Sequence, residues 1–262
     1  MSWEKTIGRV SFINCEPLFF NLPSQWSVLS APPSWLTGHL LRRDCIIAPI
    51  PAADFAKHKD ELYLIPDIAI SSKGEVGSVL LFGKMDISKM KSIALPTDSA
   101  TSCALLQYLM SMKGNNVKYQ QMGPDLGTML SNCDGCLLIG DRALESAKLY
   151  PEYVKMDLGK EWRKSSGAPM VFGVFAARRD SNIDLVKSAY NALLNNLELF
   201  ENSKSIRNDV IVACSAKTNQ STNRLERYFG EVINRVDSDD IKGLKKFLSR
   251  ACNVDDELTM AW

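Results

Sequence analysis

Histidine is nearly absent from this sequence. Its 262 residues include His39 and His58 and no others, so the stretch from 59 to 262 has none. His39 lies inside a helical pattern and His58 lies in a charged segment, and both are predicted to be surface or packing residues. The GxSxG motif and a Ser/His/Asp constellation are also missing. The sequence therefore gives no support to hydrolysis by an activated serine.

Motifs that hold nucleotides or metals are missing too. The chain has neither a P-loop nor a GxGxxG segment, and no cluster of residues has the spacing of metal ligands. Its seven cysteines include one CxxC, Cys133 and Cys136, which enclose Asp134-Gly135 and lead into an apolar run. This pattern favours a turn and a buried strand over a redox pair or a zinc site. We expect free thiols, no cofactor and no metal.

Excess charge and long apolar runs are likewise missing. With 31 basic and 30 acidic residues, the formal net charge is +1, which gives no reason to expect nucleic acid or an anionic membrane as the partner. No run approaches the roughly 20 apolar residues of a membrane span, and the first residues do not resemble a secretion signal. We expect a cytoplasmic protein, a monomer or weak dimer, that binds a small molecule.

Short apolar runs alternate with helical patterns along most of the chain, which is typical of α/β proteins. Two such cycles are followed by helices alone, beginning with an amphipathic helix over 181–203. We predict two lobes, with residues 1–91 and 171–262 in the first and the inserted residues 92–170 in the second. "SVLLFGK" and "MVFGVFAAR" are the predicted crossing strands. A ligand is expected in the cleft between the lobes, where loops and helix N-termini meet.

Polar residues stand at several predicted strand ends. In "GRVSFINCEPLFF", Val10, Phe12 and Ile13 are predicted to form a strand, as are the aromatics Phe19 and Phe20, and Ser11 and Asn14 interrupt the apolar pattern. Asn14 fits a ligand contact or a simple turn, since asparagine often caps turns through its own backbone.

Two further strand ends carry the same kind of residue. Ser78 begins "SVLLFG", and Gly140-Asp141 follows "CLLI". Asp141 fits a ligand contact or the N-cap of the next helix, and Ser78 fits a ligand contact or an ordinary strand position. Strand ends that face one crevice would hold a small polar ligand.

The tract "TDSATS" precedes the main helix of the predicted second lobe. Ser99, Thr101 and Ser102 place hydroxyl groups beside the free N–H groups of that helix, a combination that suits a carboxylate or a phosphate. Serine and threonine are also the usual N-caps of helices without ligands. Both interpretations stay open at this point.

Taken in order, these segments resemble the chorismate dehydratase family of the futalosine route to menaquinone. The resemblance runs from about residue 8 to 179, and the tail beyond 180 matches only as helices. It implies a two-lobed fold like that of the type II periplasmic solute-binding proteins, used inside the cell as an enzyme. The segments that carry it are "GRVSFINCEPLFF", "IIAPIPAADF", "LIPDIAISSKGEVGSVLLF", "IALPTDSATSCALLQYLM", "CLLIGDRAL" and "DLGKEWRKSSGAPMVFGVFAAR".

The resemblance implies a hydro-lyase that needs no cofactor or metal. Chorismate, a small dicarboxylate, would lose water and give 3-[(1-carboxyvinyl)oxy]benzoate. Asn14 falls at a key position of the family's active site and is expected to orient the substrate. The base would be the enolpyruvyl carboxylate of the substrate or Asp141. The expected substrate-binding residues are Ser11, Ser78, Ser99, Thr101, Ser102, Gly140 and Asp141.

The chain departs from the family pattern in two places. Pro96 stands where the family usually has Asp, and residues 166–170 read Ser-Gly-Ala-Pro-Met instead of Thr-Gly-Leu-Pro-Phe. One alternative is a non-catalytic cytosolic binding protein for a small carboxylate. Another is the related enzyme that forms dihydroxynaphthoate, but that relative uses a histidine of the second lobe, which this chain lacks. Turnover of chorismate separates the first alternative from the enzyme.

Overall fold

The computed structural model describes residues 2–255 and 257–262, and it has the predicted α/β fold. The strands are β1 Thr6–Val10, β2 Ser27–Ala31, β3 Ala48–Pro51, β4 Leu62–Ser72, β5 Val79–Gly83, β6 Ser92–Pro96, β7 Lys118–Met122, β8 Gly135–Ile139, β9 Val154–Asp157, β10 Met170–Arg178 and β11 Ile233–Arg235. The helices are α1 Glu16–Phe19, α2 Pro33–Leu41, α3 Ala52–Lys57, α4 Ala100–Met112, α5 Leu126–Asn132, α6 Gly140–Leu149, α7 Leu158–Ser166, α8 Ile183–Asn202, α9 Lys204–Thr218, α10 Thr222–Glu231 and α11 Ser238–Cys252.

The first sheet has the strand order β11-β4-β10-β3, with antiparallel pairing throughout. The parallel pair β1-β2 lies beside it, since the N–H of Gly8 donates to the carbonyl of Ile47 at 2.8 Å. Strand β10 is buried along nearly its whole length. A run such as "MVFGVFAA" is therefore apolar without alternation, because both of its faces are covered.

The second sheet has the order β7-β6-β8-β5-β9. Strands β6, β7 and β8 run parallel, whereas β5 is antiparallel to β8 and β9. Strand β5 therefore belongs to the second sheet, although the predicted boundary at 91 and 92 put it in the first lobe. A strand buried on both faces carries no signal for which sheet it joins. With this strand reassigned, the division into two lobes stays a prediction.

The chain crosses between the sheets through 73–78 and returns through 158–169. The Asp157 carboxylate, at the start of the return, accepts the N–H of Gly77 in the outgoing segment at 2.8 Å. Trp162 is fully buried on the return and donates its indole N–H to the Pro169 carbonyl at 2.9 Å. The Asp157 hydrogen bond therefore joins the two crossings, and the Trp162 hydrogen bond holds the returning one together.

The tail is helical, as predicted, apart from the short strand β11. The long helix α8 packs against α1 and α9, and α11 packs against β10. Three helices follow α8 where the sequence indicated two or three. Within the described chain, no helix has both the length and the apolar character needed to cross a membrane.

Candidate active site

A cleft lies between residues of the two sheets. One wall comes from the first sheet and the loop after β1. The other comes from β5, the end of β8 and the start of α4. The lining residues are Val10, Phe12, Asn14, Pro33, Pro49, Ile50, Pro51, Ile70, Val76, Ser78, Val79, Ser99, Ser102, Ile139, Gly140, Phe172, Gly173 and Val232.

Asn14 lies in this cleft, on a 3-10 turn over Ile13–Cys15 that follows β1. It is 8% exposed, and its Oδ1 atom has no hydrogen-bond partner among the described residues. An unpaired buried polar atom costs about 1–3 kcal/mol, so a native protein seldom keeps one without a use. The Oδ1 atom of Asn14 therefore does not cap the turn, and it is available to accept a hydrogen bond from a ligand.

The strand predicted through Phe12 and Ile13 was wrong, since β1 ends at Val10. Phe19 is part of helix α1 instead of a strand. Pro17 lies in the first turn of α1, where a missing N–H and a fixed φ are compatible with a helix. An apolar run is buried whether it forms a strand or a helix. The apolar pattern therefore did not distinguish the two.

Four predicted substrate-binding residues line the cleft with Asn14: Ser78, Ser99, Ser102 and Gly140. The three serines are each at most 5% exposed. Ser99 donates to Ser102 Oγ at 2.8 Å, so these two hydroxyls form one unit at the N-terminus of α4. The positive end of the helix dipole lies there as well, which favours an anionic group.

Thr101 does not line the cleft. It is buried, and its Oγ1 accepts the backbone N–H of Ala53 at 3.0 Å. Ala53 begins α3 directly after β3 of the first sheet, so this hydroxyl joins α4 to the first sheet's side of the structure. The sequence placed Thr101 correctly at the helix start, but helical geometry turns successive side chains by about 100°, and only its neighbours face the cleft.

Ser11 also lies outside the cleft, since its side chain is exposed and only its backbone N–H is bound, to the carbonyl of Ala31. Asp141 lies beside the cleft without lining it. Its Oδ1 accepts the N–H of Ile13 at 3.0 Å, across the junction of the two sheets. Asp141 is in the first turn of α6 and Ile139 is the N-cap, so the predicted capping role was wrong. The carboxylate instead holds the turn that carries Asn14.

No described residue of the cleft lining has an ionisable side chain. The histidines are elsewhere, with His39 paired to Asp44 and His58 paired to Glu61. Burial raises the pKa of the Asp141 carboxyl above its ordinary value, while the Ile13 N–H lowers it. A ligand in this cleft meets serine hydroxyls, an amide, the N-terminal end of α4 and apolar walls.

Cys133 and Cys136 are free thiols, as predicted. Cys133 ends α5, and Cys136 lies in β8, where burial raises its pKa to about 12. A thiol with that pKa stays protonated and unreactive near neutral pH. The turn-and-strand interpretation of the CxxC is confirmed.

The two departures from the family pattern lie outside the lining. Pro96 ends β6, and its carbonyl receives a hydrogen bond from the Cys103 thiol. Residues 166–170 lie on the returning crossing segment, where Gly167 ends α7 with a positive φ of 71°. Neither change alters a side chain that faces the cleft.

Three side chains that shape the site carry no recognisable signal in the sequence. The guanidinium of Arg142 lies 5.1 Å from the ring centre of Phe12 and pairs with Asp98, which is 4% exposed. On the far side, Tyr228 of α10 donates its phenol proton to Ser78 Oγ at 3.0 Å. In the sequence, Tyr228 is one residue of an ordinary helical pattern, and Arg142 is a single arginine after Asp141. Neither pattern predicts a contact with a residue that is distant in sequence.

Gly140 has two features that only glycine combines. Its φ is +60°, in the left-handed region, and a Cβ there would lie within 3.0 Å of the Phe12 ring. Its N–H donates to the Ser78 carbonyl at 2.7 Å. The β8–α6 junction can therefore approach both the loop after β1 and the start of β5.

Comparisons with solved structures agree with this architecture. A structural-genomics protein from Archaeoglobus fulgidus superimposes with a TM-score of 0.74 at 17% identity, covering 95% of this chain and 96% of that one. A Candida albicans protein described as having the generic periplasmic binding protein fold gives 0.67 at 14% identity, covering 96% and 91%. The alkanesulfonate-binding protein SsuA of Xanthomonas axonopodis pv. citri, bound to MOPS, gives 0.66 at 12% identity, covering 98% and 95%. The predicted periplasmic-binding-protein fold is confirmed.

Sequence comparisons point to one family. The chorismate dehydratase of Thermus thermophilus is 34% identical over an alignment of 191 residues, and the match covers 67% of this chain and 70% of that protein. A family model described as menaquinone biosynthesis matches residues 5–253. That match takes in both sheets, the cleft and nearly all of the helical tail, so this chain belongs to the menaquinone-biosynthesis family.

Proposed function

We propose that this protein is a hydro-lyase that converts chorismate into 3-[(1-carboxyvinyl)oxy]benzoate and water. The observation that carries the proposal is the unpaired, buried Oδ1 of Asn14 in a cleft whose opposite wall is the N-terminus of α4. Family membership and the 34% identity to a chorismate dehydratase support it. We propose the cytoplasm as the place where the protein acts.

The cleft provides groups of the right kind for this substrate. Chorismate is a dianion with an apolar ring edge, and the lining joins apolar walls to hydroxyl donors. Ser99 and Ser102 lie at the positive end of α4 and suit one carboxylate. Asn14 and Ser78 on either side of the junction suit the ring hydroxyl and the other carboxylate.

The residues that line the cleft also limit which group can act as the general base. The described residues that face the cleft include no Asp, Glu, His, Lys, Cys or Tyr, and Asp141 is directed at the N–H of Ile13. A general base must lie within hydrogen-bond reach of the proton it removes. We therefore assign the base to the enolpyruvyl carboxylate of the substrate itself.

The reaction then balances without any outside reagent. The enolpyruvyl carboxylate takes the proton from the ring carbon that bears the ether. The electron pair of that C–H bond enters the ring as the bond from the neighbouring carbon to its hydroxyl breaks. The ring becomes aromatic, and the proton and the departing hydroxide leave as water. The protein contributes orientation of the dianion, worth up to several kcal/mol, and hydrogen bonds to the leaving oxygen.

Incubating the purified protein with chorismate, without added metal or cofactor, tests the proposal. We expect chromatography with mass detection to show an aromatic ether that is about 18 mass units lighter, the mass of one water. Chorismate that stays intact but raises the melting temperature would mean a binding protein without activity. Neither turnover nor stabilisation would reject chorismate as the ligand.

Replacing Asp141 by Asn is expected to leave kcat/KM within about threefold of wild type, because the amide oxygen can still accept the Ile13 N–H. Asp141→Ala removes this acceptor and is expected to cost about tenfold or more. Steady-state kinetics of both variants show whether Asp141 positions the turn or removes the proton from the substrate. If Asp141→Asn loses activity as fully as Asp141→Ala, Asp141 is the base and the substrate carboxylate is not.

The Asp141→Asn variant is also expected to change how the free energy of unfolding depends on pH. Because burial raises the folded-state pKa of Asp141 above the ordinary value of 3.8, the folded state holds this proton more tightly than the unfolded state. Its contribution to stability therefore falls as pH rises from about 3.8 through the raised pKa, and is constant above it. Denaturant melts should show a weaker fall in that window for Asp141→Asn. An unchanged pH dependence would contradict the raised pKa.

A further inference from the structure

Ser78 occupies an unusual position between the cleft and the helical tail. It is the last residue of the outgoing crossing segment, directly before β5, it is 3% exposed, and it lines the cleft. On its other side, the phenol oxygen of Tyr228 lies 3.0 Å from Ser78 Oγ. The tail helix α10 is therefore hydrogen-bonded to a serine hydroxyl of the cleft lining.

The direction of this hydrogen bond follows from the chemistry of the two groups. Tyr228 is fully buried, and burial raises its pKa, so the phenol keeps its proton at physiological pH. In the described part of the chain, the one acceptor bonded to that proton is Ser78 Oγ. The phenol therefore donates, and the Ser78 hydroxyl keeps its own proton for another acceptor. None of the hydrogen bonds among the described residues uses that proton.

Helix α10 is held firmly at this place. The guanidinium of Arg224 lies 5.6 Å from the ring centre of Tyr228 and pairs with Glu231 at 2.9 Å. Gly77, just before Ser78, has a φ of +68°, and a Cβ on it would overlap both Arg224 and Glu231. The glycine lets α10 pack directly on the crossing segment, so Tyr228 and Ser78 are fixed relative to each other.

We propose that Tyr228 is a positioning residue of the reaction, which fills one lone pair of Ser78 Oγ and thereby turns the Ser78 O–H toward an oxygen of the substrate. This inference rests on the proposed function. It assigns a role at the cleft to a residue of the tail, where the sequence pattern showed only amphipathic helices. Without the phenol, the Ser78 hydroxyl is free to rotate away from the substrate.

Tyr228→Phe tests the proposal because it removes the hydroxyl and keeps the ring. We expect kcat/KM to fall about tenfold, the effect of one misdirected hydrogen bond, with a melting temperature close to wild type. Tyr190→Phe is the matched control. Tyr190 is 8% exposed and donates to Asp67 at 2.6 Å, away from the cleft, so its kcat/KM should not change. Wild-type kcat/KM in Tyr228→Phe would overturn the proposal.

A double-mutant cycle with Ser78→Ala separates positioning from a general structural effect. If Tyr228 acts through Ser78, Tyr228→Phe should cause no further loss in the Ser78→Ala background. Losses that multiply in the double variant would overturn the proposal.

The cycle remains informative if the proposed function fails. Should the wild type bind chorismate without turning it over, the reaction is rejected. The same cycle is then measured on the Kd for chorismate by calorimetry, where the loss should again not multiply. A wild type that neither converts nor binds chorismate overturns both proposals.

Discussion

Replacing Asn14 by Ala is expected to lower kcat/KM for chorismate by about a hundredfold or more, on the order of 3 kcal/mol of transition-state stabilisation. The expectation rests on the position of Asn14 in the cleft and on its Oδ1, which is buried without a partner among the described residues. A group that touches only the substrate contributes little to folding. The variant should therefore melt near the wild-type temperature, and steady-state kinetics should show the loss.

Ser11→Ala is the matched control for Asn14→Ala. Ser11 lies three residues earlier in the same loop, its side chain is exposed, and it does not line the cleft. We expect its kcat/KM to stay within about twofold of wild type. Near-wild-type turnover by Asn14→Ala would show that Asn14 has no role in the reaction and is only a turn residue. Equal losses in both variants would mean that the loop, and not the amide, is responsible.

Gly140→Ala is expected to have an effect of similar size for a steric reason. Alanine at a φ of +60° costs about 1–2 kcal/mol in the backbone, and its Cβ would also lie within 3.0 Å of the Phe12 ring. Phe12 lines the cleft two residues before Asn14. Moving that ring displaces the cleft wall, so we expect kcat/KM to fall about a hundredfold. The melting temperature should fall as well, and both are measured on one preparation.

Gly167→Ala is the matched control, because it introduces the backbone strain without a steric clash. Gly167 has a φ of +71°, and nothing lies within 4 Å of a Cβ added there. This variant should show the backbone cost in its melting temperature and should keep its kcat/KM. If Gly140→Ala is no worse than Gly167→Ala in turnover, contact between the Gly140 position and Phe12 is unimportant for the site.

Three of the polar residues that the sequence singled out beside apolar runs line the cleft. Residues with hydroxyl or amide groups stood out against apolar runs at Asn14, Ser78 and Ser99, and all three line the cleft. The pattern is readable because buried strands are continuous apolar runs and a polar residue at their end is conspicuous. The family resemblance then ordered these residues into one site.

Neighbouring residues in the same motifs were harder to place. Ser11 and Thr101 have the same chemistry as the residues that line the cleft, yet one is exposed and the other holds Ala53. A shift of one residue changes the direction of a side chain by about 100° in a helix and by about 180° in a strand. Composition alone does not resolve that choice.

Contacts between distant segments were not predictable at all. Asp141 looked like a helix cap and instead accepts the N–H of Ile13, 128 residues away. Tyr228 lies 150 residues from Ser78 and belonged to helices that showed only an apolar side. Long-range hydrogen bonds depend on how the two sheets and the tail pack together, which local propensity does not encode.

In the proposed reaction the protein positions chorismate and the substrate supplies its own base. The pH dependence of kcat/KM tests it most directly, because this quantity reports the ionisations of the free enzyme and the free substrate. Carboxylates ionise at about pH 4, and the cleft lining described here has no ionisable side chain. We therefore predict a plateau from about pH 6 to about pH 9. A step or a bell within that range would contradict the account, since it would show a protein group acting as the base or the acid.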